Sequence, residues 1–536
     1  MSKLIQKQKI VILVMLLLLL PAIMARANVC EIVGDKEYAD LSDALKAVKN
    51  NQTIKLLQNI NYYNDQLAIH IYDKSITFDL NGFNLNVEAG LPLQVSNGGE
   101  VKLTGKGEFN VTSNGLPGTT GVSVSNGGKA TVTNATGSYS GVSARNNANV
   151  TILGNATATN NDGNGVDADN SIVTVYGNVI GYIRGVHARS NANVIVNGDI
   201  TSMDTGIGSF SGSSVTVTGT VTGRSTGIQA NGGKVSVLSG AKGDDCGVSA
   251  HNAIISVSGS ISGNVGIIAN GGSKVSVTGS VTGGSGRSFG PFASGFGVLA
   301  SDNNTTVAVS GDVTGHTGVL SSNGSSVTVT GDVIADISYT GDINSMGVQA
   351  SESATVTIFG NVSGNHGVWI QNKDAIVTIG GDVLAERGVY ISENCNARIT
   401  IDGQMKVTEN GWFIGIITPG TQSGFYEFTP ADYQPTSTKS GYREYTDGKN
   451  YVWVKGEIDT GIDIIPQRSS TLKASIQNGR LHVSGLTVGE VWTVYNVSGV
   501  IVSQNRATAE EAVINLPSKG IYIIVSAGKS IKVGNF

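Results

Sequence analysis

The sequence predicts an all-β protein, with a parallel β-helix over most of its length and a small β-sandwich at its C-terminus. Three observations carry this. A Gly-Val or Gly-Ile pair returns about every 20 residues, a period typical of solenoids; it begins at Gly121, Gly141, Gly165, Gly185, Gly206, Gly227, Gly247, Gly266, Gly297, Gly318, Gly347, Gly367 and Gly388. Between these pairs apolar residues alternate with Ser, Thr and Asn, the pattern of strands with one buried face. From Leu472 onward the beat gives way to short alternating strands separated by turns.

Each repeat contains three short strands. The first reads G-V-x-A, as in Gly141-Val142-Ser143-Ala144 and Gly185-Val186-His187-Ala188. The second reads V-x-V or V-x-I, as in Val215-Thr216-Val217 and Val377-Thr378-Ile379, and the third follows a glycine, as in Gly177-Asn178-Val179. Three such strands and three corners use about 20 residues, one coil of a single-stranded β-helix in which each strand pairs with its equivalent a coil away. Parallel crossovers favour a right-handed coil. Val and Ala fill a thin triangular core, and the marked repeats stack into a rod roughly 60 Å long. Asn126-Gly127-Gly128, Asn231-Gly232-Gly233 and Asn270-Gly271-Gly272 suit corners because Asn and Gly tolerate positive φ. A disordered Gly/Ser/Asn/Thr tract has no reason to hold apolar residues in phase over so many repeats.

The chain divides accordingly. Residues 1–27 read as a signal peptide: Lys3, Lys7 and Lys9 precede the apolar run Ile10 to Leu20, and Ala25 and Ala27 stand at the cleavage positions, so the mature chain is expected to begin at Asn28. Residues 28–55 are expected to cap the first coil with a short helix, Asp40 at its N-cap and Leu41, Ala44, Leu45 and Val48 on one face. The β-helix is expected over 56–410. An aromatic-rich segment at 411–458, containing Trp412, Phe413, Tyr426, Tyr445 and Trp453, is expected to cap its far end, since open strand edges invite polymerisation. A linker at 459–471 leads to the tail, 472–536.

With 14% charged residues and a net charge of −5, the 536-residue chain carries no basic stripe for nucleic acid. Cys30, Cys246 and Cys395 lie too far apart to form a disulfide framework. Val29, directly before Cys30, is not the small residue that a lipid-anchor site needs there.

Seven strands are expected in the tail, a count and spacing that fit an immunoglobulin-like sandwich. Its residues include Gly479-Arg480-Leu481-His482-Val483, Val494-Tyr495-Asn496-Val497-Ser498-Gly499, Leu516-Pro517-Ser518-Lys519-Gly520-Ile521-Tyr522 and the terminal Lys532-Val533. On these elements the tail resembles the type A C-terminal sorting domain of the type IX secretion system of Bacteroidetes, with Gly479, Leu481, Tyr495, Gly499, Gly520, Tyr522, Lys532 and Val533 as its motif residues. The resemblance implies recognition by the type IX machinery at the outer membrane. It also implies removal of the tail, with the cargo released or attached to surface lipopolysaccharide. Tyr38-Ala39-Asp40-Leu41-Ser42-Asp43-Ala44-Leu45, followed by Gln52-Thr53-Ile54-Lys55-Leu56-Leu57, is similar to the lead-in of adhesin-like surface β-helix proteins of Gram-negative bacteria.

Because β-helices also include pectin-degrading lyases and hydrolases, catalysis needs its own test. Asn161-Asp162-Gly163, Gly243-Asp244-Asp245-Cys246 and Gly315-His316 resemble fragments of polygalacturonase motifs. Inverting hydrolysis needs two carboxylates about 6.5–9.5 Å apart, whereas Asp162 and Asp244 lie about four coils, or roughly 19 Å, apart along the axis. His187, His251, His316 and His366 show no ligand spacing, and Asp199, Asp312, Asp332 and Asp382, at like positions after Gly, read as solvated surface charges. Neither a metal nor any other cofactor is expected. The Thr column containing Thr131, Thr174, Thr216, Thr328, Thr357, Thr378 and Thr400 resembles an ice-binding array, but Ile195 and Ala308 interrupt it.

Two long repeats remain. The spacing is 31 residues from Gly266 to Gly297 and 29 from Gly318 to Gly347, so each coil carries a side loop. Arg287, Phe289, Phe292 and Phe296 at the first, and Tyr339 in the second, form the candidate ligand-binding loops, for a glycan or a protein. The preferred reading is a secreted or cell-surface, adhesin-like binding rod. The competing reading is a polysaccharide-degrading lyase or glycoside hydrolase with an atypical site. A concave face with ionisable groups from adjacent coils marks the enzyme.

Overall fold

The computed structural model describes residues 27–115, 117–284, 295–335, 345–417, 425–455, 472–477, 480–496, 501–517, 520–526 and 529–535. The chain forms two compact units, Met1–Gly456 and Glu457–Phe536. Among the described residues the first is a parallel β-solenoid of about 16 coils.

The three strand types of each repeat join into two sheets. V-x-V strands make one of them, and their registers run unbroken from coil to coil: Val173 pairs with Val194, Val194 with Val215 and Val215 with Val235. The G-V-x-A strands and the short post-glycine strands share the other sheet, because Ile60–Tyr72, Leu85–Ser96, Val362–Gln371 and Val383–Ile391 run straight through the bend between them. Inward-facing residues such as Val142, Val166, Val186, Val217 and Val257 are fully buried in one continuous core. Each fully buried Val contributes about 1.5–3 kcal/mol.

The glycine of each Gly-Val pair has a steric cause. A Cβ on Gly227 would stand 2.6 Å from the Gly247 carbonyl oxygen, and one on Gly185 would stand 2.2 Å from Ile200 Cγ2 and 2.8 Å from the Gly206 oxygen. Side-chain carbons essentially never sit that close, so only glycine admits the next coil at this point. At the corners glycine serves differently: Asn126 and Gly127 have φ of 51° and 74°, the left-handed region expected of these residue types.

At a second corner the post-glycine aspartates, of which Asp199 and Asp312 are exposed, also bond the backbone of the next coil. Asn155 Oδ1 accepts from the Asn178 backbone N–H (2.8 Å), Asn178 Oδ1 from Asp199 N–H (2.9 Å) and Asp199 Oδ1 from Thr220 N–H (2.7 Å). The ladder resumes from Asp312 to Asp332 (2.8 Å), Asp332 to Asn361 (2.7 Å), Asn361 to Asp382 (2.8 Å) and Asp382 to Gln404 (2.9 Å). Each side chain thus satisfies a backbone donor of the following coil, which a corner would otherwise leave unpaired. Hydrogen bonds from the Thr220 backbone and side chain hold the Asp199 carboxyl below the usual range.

The parallel pairing continues past residue 410. Met405–Ile417, which carries Trp412, pairs parallel with Val383–Ile391, and Tyr451–Lys455 pairs parallel with Arg398–Ile401. Antiparallel strands follow: Phe425–Phe428 on Met405–Ile417, and Tyr442–Thr446 on Tyr451–Lys455. At the other end Cys30–Ile32 lies antiparallel to Gln52–Leu56. The helix Leu41–Ala47 begins where expected, with the Asp40 carboxylate accepting from Ser42 N–H at 2.8 Å and Leu41 and Ala44 buried.

The second unit has a three-stranded and a four-stranded antiparallel sheet among its described residues. Leu481, Val483, Leu486, Trp492, Val494, Ala507, Tyr522 and Ile524 form one apolar cluster drawing on both.

Two substitutions test the packing. Gly227→Ala is expected to cost about 1–3 kcal/mol by overpacking, and Val217→Asp several kcal/mol as an unpaired charge in an apolar core. Thr216→Ser, on the outward face, is expected to stay within about 0.5 kcal/mol. Denaturant unfolding of the three variants checks the order; a Gly227→Ala melt superimposable on the parent would refute the steric account.

Candidate functional site

The outward-facing x position of G-V-x-A forms a column along the solenoid, and its chemistry changes from one end to the other. In the earlier coils it runs Ser123, Ser143, Asp167, His187. Later it becomes apolar through Ile268, Leu299 and Leu320, then passes through Gln349 to Trp369 and Tyr390. The column beside it, just before each Gly, aligns Phe296, Thr317, Met346, His366, Arg387 and Trp412.

Where the two columns turn aromatic they make a compact cluster. The Trp369 and Tyr390 centroids lie 5.4 Å apart at 85°, and those of Tyr390 and Trp412 lie 5.5 Å apart at 49°. All three side chains are half-buried, so each ring is propped by its neighbours yet keeps surface open to solvent. Edge-to-face and tilted pairs of this kind favour a fixed geometry. Trp369 Nε1 donates to Ser392 Oγ at 3.4 Å. Polar groups frame the rings: Gln349 Nε2 donates to Gln371 Oε1 (2.7 Å), and Asn365 Nδ2 donates to Glu386 Oε2.

His366 lies at the base of this cluster, 4% exposed and with its ring centroid 5.4 Å from that of Trp369. Arg387 Nη1 stands 3.1 Å from His366 Nε2. A guanidinium only donates, so Nε2 is the acceptor and the ring proton sits on Nδ1. That Nδ1 is buried without a hydrogen-bond partner among the described residues, as is Asn365 Oδ1. Burial, and secondarily the Arg387 charge, push the imidazole down to about 4, so it is neutral at physiological pH.

A second cluster occupies earlier coils of the same face. Asp167, its side chain 4% exposed, is met by His187 Nδ1 (3.1 Å), Arg189 Nη1 (3.2 Å) and Arg145 Nη2 (3.1 Å), while Arg189 Nε donates to Asp169 at 2.9 Å. The arrangement follows from register, since Arg145, Asp169 and Arg189 stack in consecutive coils, as do Asp167 and His187. Burial alone would raise the Asp167 pKa, but the His187 hydrogen bond and the charges of Arg189, His187 and Arg145 together hold it below the usual carboxylate range. The hydrogen bond from Arg189 does the same for Asp169. A carboxyl held ionised by three partners suits a structural ion network better than a proton donor.

The sequence-derived candidates fall as follows. Phe296 is half-buried, begins the strand Phe296–Ala300 and aligns with Thr317 in the pre-glycine column. Arg287, Phe289, Phe292 and Tyr339 lie outside the described residues, as do Ala25, Gly479, Gly499 and the linker; Ala27 is exposed. In the tail Leu481 and Tyr522 are buried, Tyr495 is half-buried, Gly520 opens the strand Gly520–Ser526, and Lys532 and Val533 lie in the strand Lys529–Asn535. Asp162, Asp244 and Asp245 are exposed. All three cysteines are free and buried, and burial raises the Cys246 thiol to about 12. No group of three or more potential metal ligands occurs among the described residues. Sequence reasoning missed Trp369, Tyr390 and Arg387, and weighed His366 only as a metal ligand. The signal was present in the x position, where Trp369 and Tyr390 replace the Ser, Gln and His of other repeats.

No protein-family model, curated protein or solved structure matches this chain.

Both clusters give signed pH effects. Since His366 titrates near 4 when folded and near 6.5 when unfolded, the unfolded chain binds more protons between these values. Its contribution to stability is expected to decline as pH falls from about 6.5 to 4, and His366→Gln should flatten that slope. Asp167, depressed when folded, contributes stability above its unfolded value of about 3.9 that is lost on further acidification. Asp167→Asn is therefore expected to cost about 1.5–3 kcal/mol at pH 7, with the deficit shrinking below pH 4. Denaturant unfolding across pH 2.5–8 checks both.

Proposed function

We propose that this protein is an adhesin-like binding rod, displayed at the cell surface or secreted, that engages its ligand through the outward face of the G-V-x-A sheet. The aromatic cluster of Trp369, Tyr390 and Trp412 carries the reading: large rings held rigid and half-exposed on a scaffold are surface suited to recognition. Phe296, where the first long repeat rejoins this sheet, lies in the column that leads to Trp412. On this reading the antiparallel strands and the helix at the two ends act as caps against edge-to-edge association.

For delivery, we propose export through the type IX secretion system, with residues 1–27 as signal peptide and 472–536 as an immunoglobulin-like sorting domain. Support comes from the motif residues and from a tail with its own apolar cluster. After export the tail is removed, and the cargo is released or attached to lipopolysaccharide. Nucleic acid has no place among the partners.

The polysaccharide-degrading reading is favoured by one observation, the Asp167–His187 contact within a cluster of ionisable groups from adjacent coils. Against it stands the saturation of Asp167 by three partners, with its pKa shifted in the direction opposite to that of a general acid. Incubating the protein with polysaccharides separates the two: the binding reading expects retention of polymer with no new reducing ends and no unsaturated product.

Deleting residues 472–536 is expected to leave a folded solenoid confined within the outer membrane. Grafting the tail onto a reporter with a signal peptide should bring that reporter to the surface of a type IX-competent bacterium. Protease accessibility on intact cells reads both outcomes, and normal surface display of the tail-less chain would overturn the address.

A further inference from the structure

We infer that the strip from Gln349 to Trp412 recognises an uncharged chain of pyranose sugars laid along the solenoid axis. This rests on the binding reading above and names its ligand class. Four features of the strip converge on that chemistry.

The first is spacing. Gln349, Trp369 and Tyr390 occupy successive rungs of one parallel sheet, and His366, Arg387 and Trp412 successive rungs of the column beside them. Rungs lie about 4.8 Å apart, close to the length of one pyranose unit in an extended chain, so consecutive sugars can meet consecutive coils. The second is surface. A pyranose ring has an apolar face of C–H groups, and half-buried Trp and Tyr rings locked by mutual contacts offer a matching platform at low entropic cost.

The third is the polar frame. Gln349 with Gln371, and Asn365 with Glu386, present amides and a carboxylate already oriented by pairing with each other. Planar groups with a remaining donor or acceptor suit the adjacent hydroxyls of a sugar. Asn365 Oδ1 and the nine-tenths-buried His366 Nδ1 add two polar atoms that have no partner among the described residues. A buried polar atom left unpaired costs stability unless water or ligand satisfies it.

The fourth is charge. Arg387 is offset by the neighbouring Glu386, and His366 is neutral, so the strip has no net charge with which to select an acidic polysaccharide or a basic peptide. A protein partner would more naturally cover the apolar run Ile268, Leu299 and Leu320.

The test is titration of the full secreted chain with neutral gluco-, xylo- and manno-oligosaccharides of one to eight units, followed by tryptophan fluorescence and calorimetry. Affinity is expected to rise with length up to about four units, the number of rungs in the strip, and then level off. Trp369→Ala should weaken binding by about 10-fold, and Trp369→Phe by much less. Gln349→Ala, which leaves the rings in place, should weaken it too, and thermal melts check that all variants stay folded. Failure of every neutral oligosaccharide to bind, affinity independent of length, or preference for uronate oligomers would each overturn the inference. Capture of a protein ligand with no sugar binding would overturn it while sparing the binding rod; depolymerisation of the sugars would overturn both.

Discussion

The structure depends on how closely one coil can lie on the next at the Gly-Val position. Along the column Gly227, Gly247, Gly266, an added Cβ would meet the following glycine's carbonyl oxygen at 2.6, 2.7 and 2.5 Å. At these positions a side chain would wedge the coils apart and break the backbone ladder on both sides, whereas the first coils, with Ala68 and Pro92 aligned to Gly121, admit one. The constraint recurs once per turn, which is why the glycine beat and the coil length are the same number. It also explains how the insertions are tolerated. Although 31 residues separate Gly266 from Gly297, Ile267 still pairs with Val298, so the longer repeat leaves the register of this sheet unchanged.

Phe413 shows the same rule from the other side. It occupies the glycine slot opposite Gly388, since Arg387 pairs with Trp412 and Val389 with Ile414. A side chain fits there because no parallel strand is stacked on it among the described residues; the next strand, Phe425–Phe428, is antiparallel and pairs only with Ile414–Ile417. Phe413 instead packs on Tyr445, with centroids 5.4 Å apart. Phe413 therefore stands in the last parallel strand of this face among the described residues, not beyond the solenoid.

Inward positions of the repeats are mostly Val, Ile and Ala, with Phe78, Phe109 and several Leu in the first coils and Ser209 and Ser321 later, so most of the ionisable chemistry lies on outward columns and corners. Three uses of that freedom are visible. Asn and Asp at one corner accept backbone N–H groups from the following coil, turning a surface column into part of the scaffold. Stacked Arg, Asp and His in the earlier coils satisfy each other's charge around Asp167. Stacked Trp and Tyr in the later coils leave ring surface open to solvent, and the proposed binding role rests on this difference from the ion network. Parallel registration makes such clusters easy to build, because like positions in successive repeats become neighbours on one face.

The solenoid, its coil length, the inward-facing valines, the corners and the capped helix after Asp40 are all legible in the residue order. Each of these is a local rule repeated at fixed spacing, and repetition makes it legible. The seven tail strands were legible for a similar reason, from alternation and turns. Which outward residues meet depends on how the coils stack. Trp369, Tyr390 and Trp412 are dispersed over 44 residues, and Trp412 follows the last glycine of the beat, where the periodic signal has stopped. A register shift between Ala385 and Arg387 carries Trp412 into line with Arg387, and spacing alone does not reveal that slip. The aspartate ladder was hidden for a related reason: a side chain that bonds the next coil's backbone has the same sequence pattern as one that faces water, and only the stacked backbone distinguishes them.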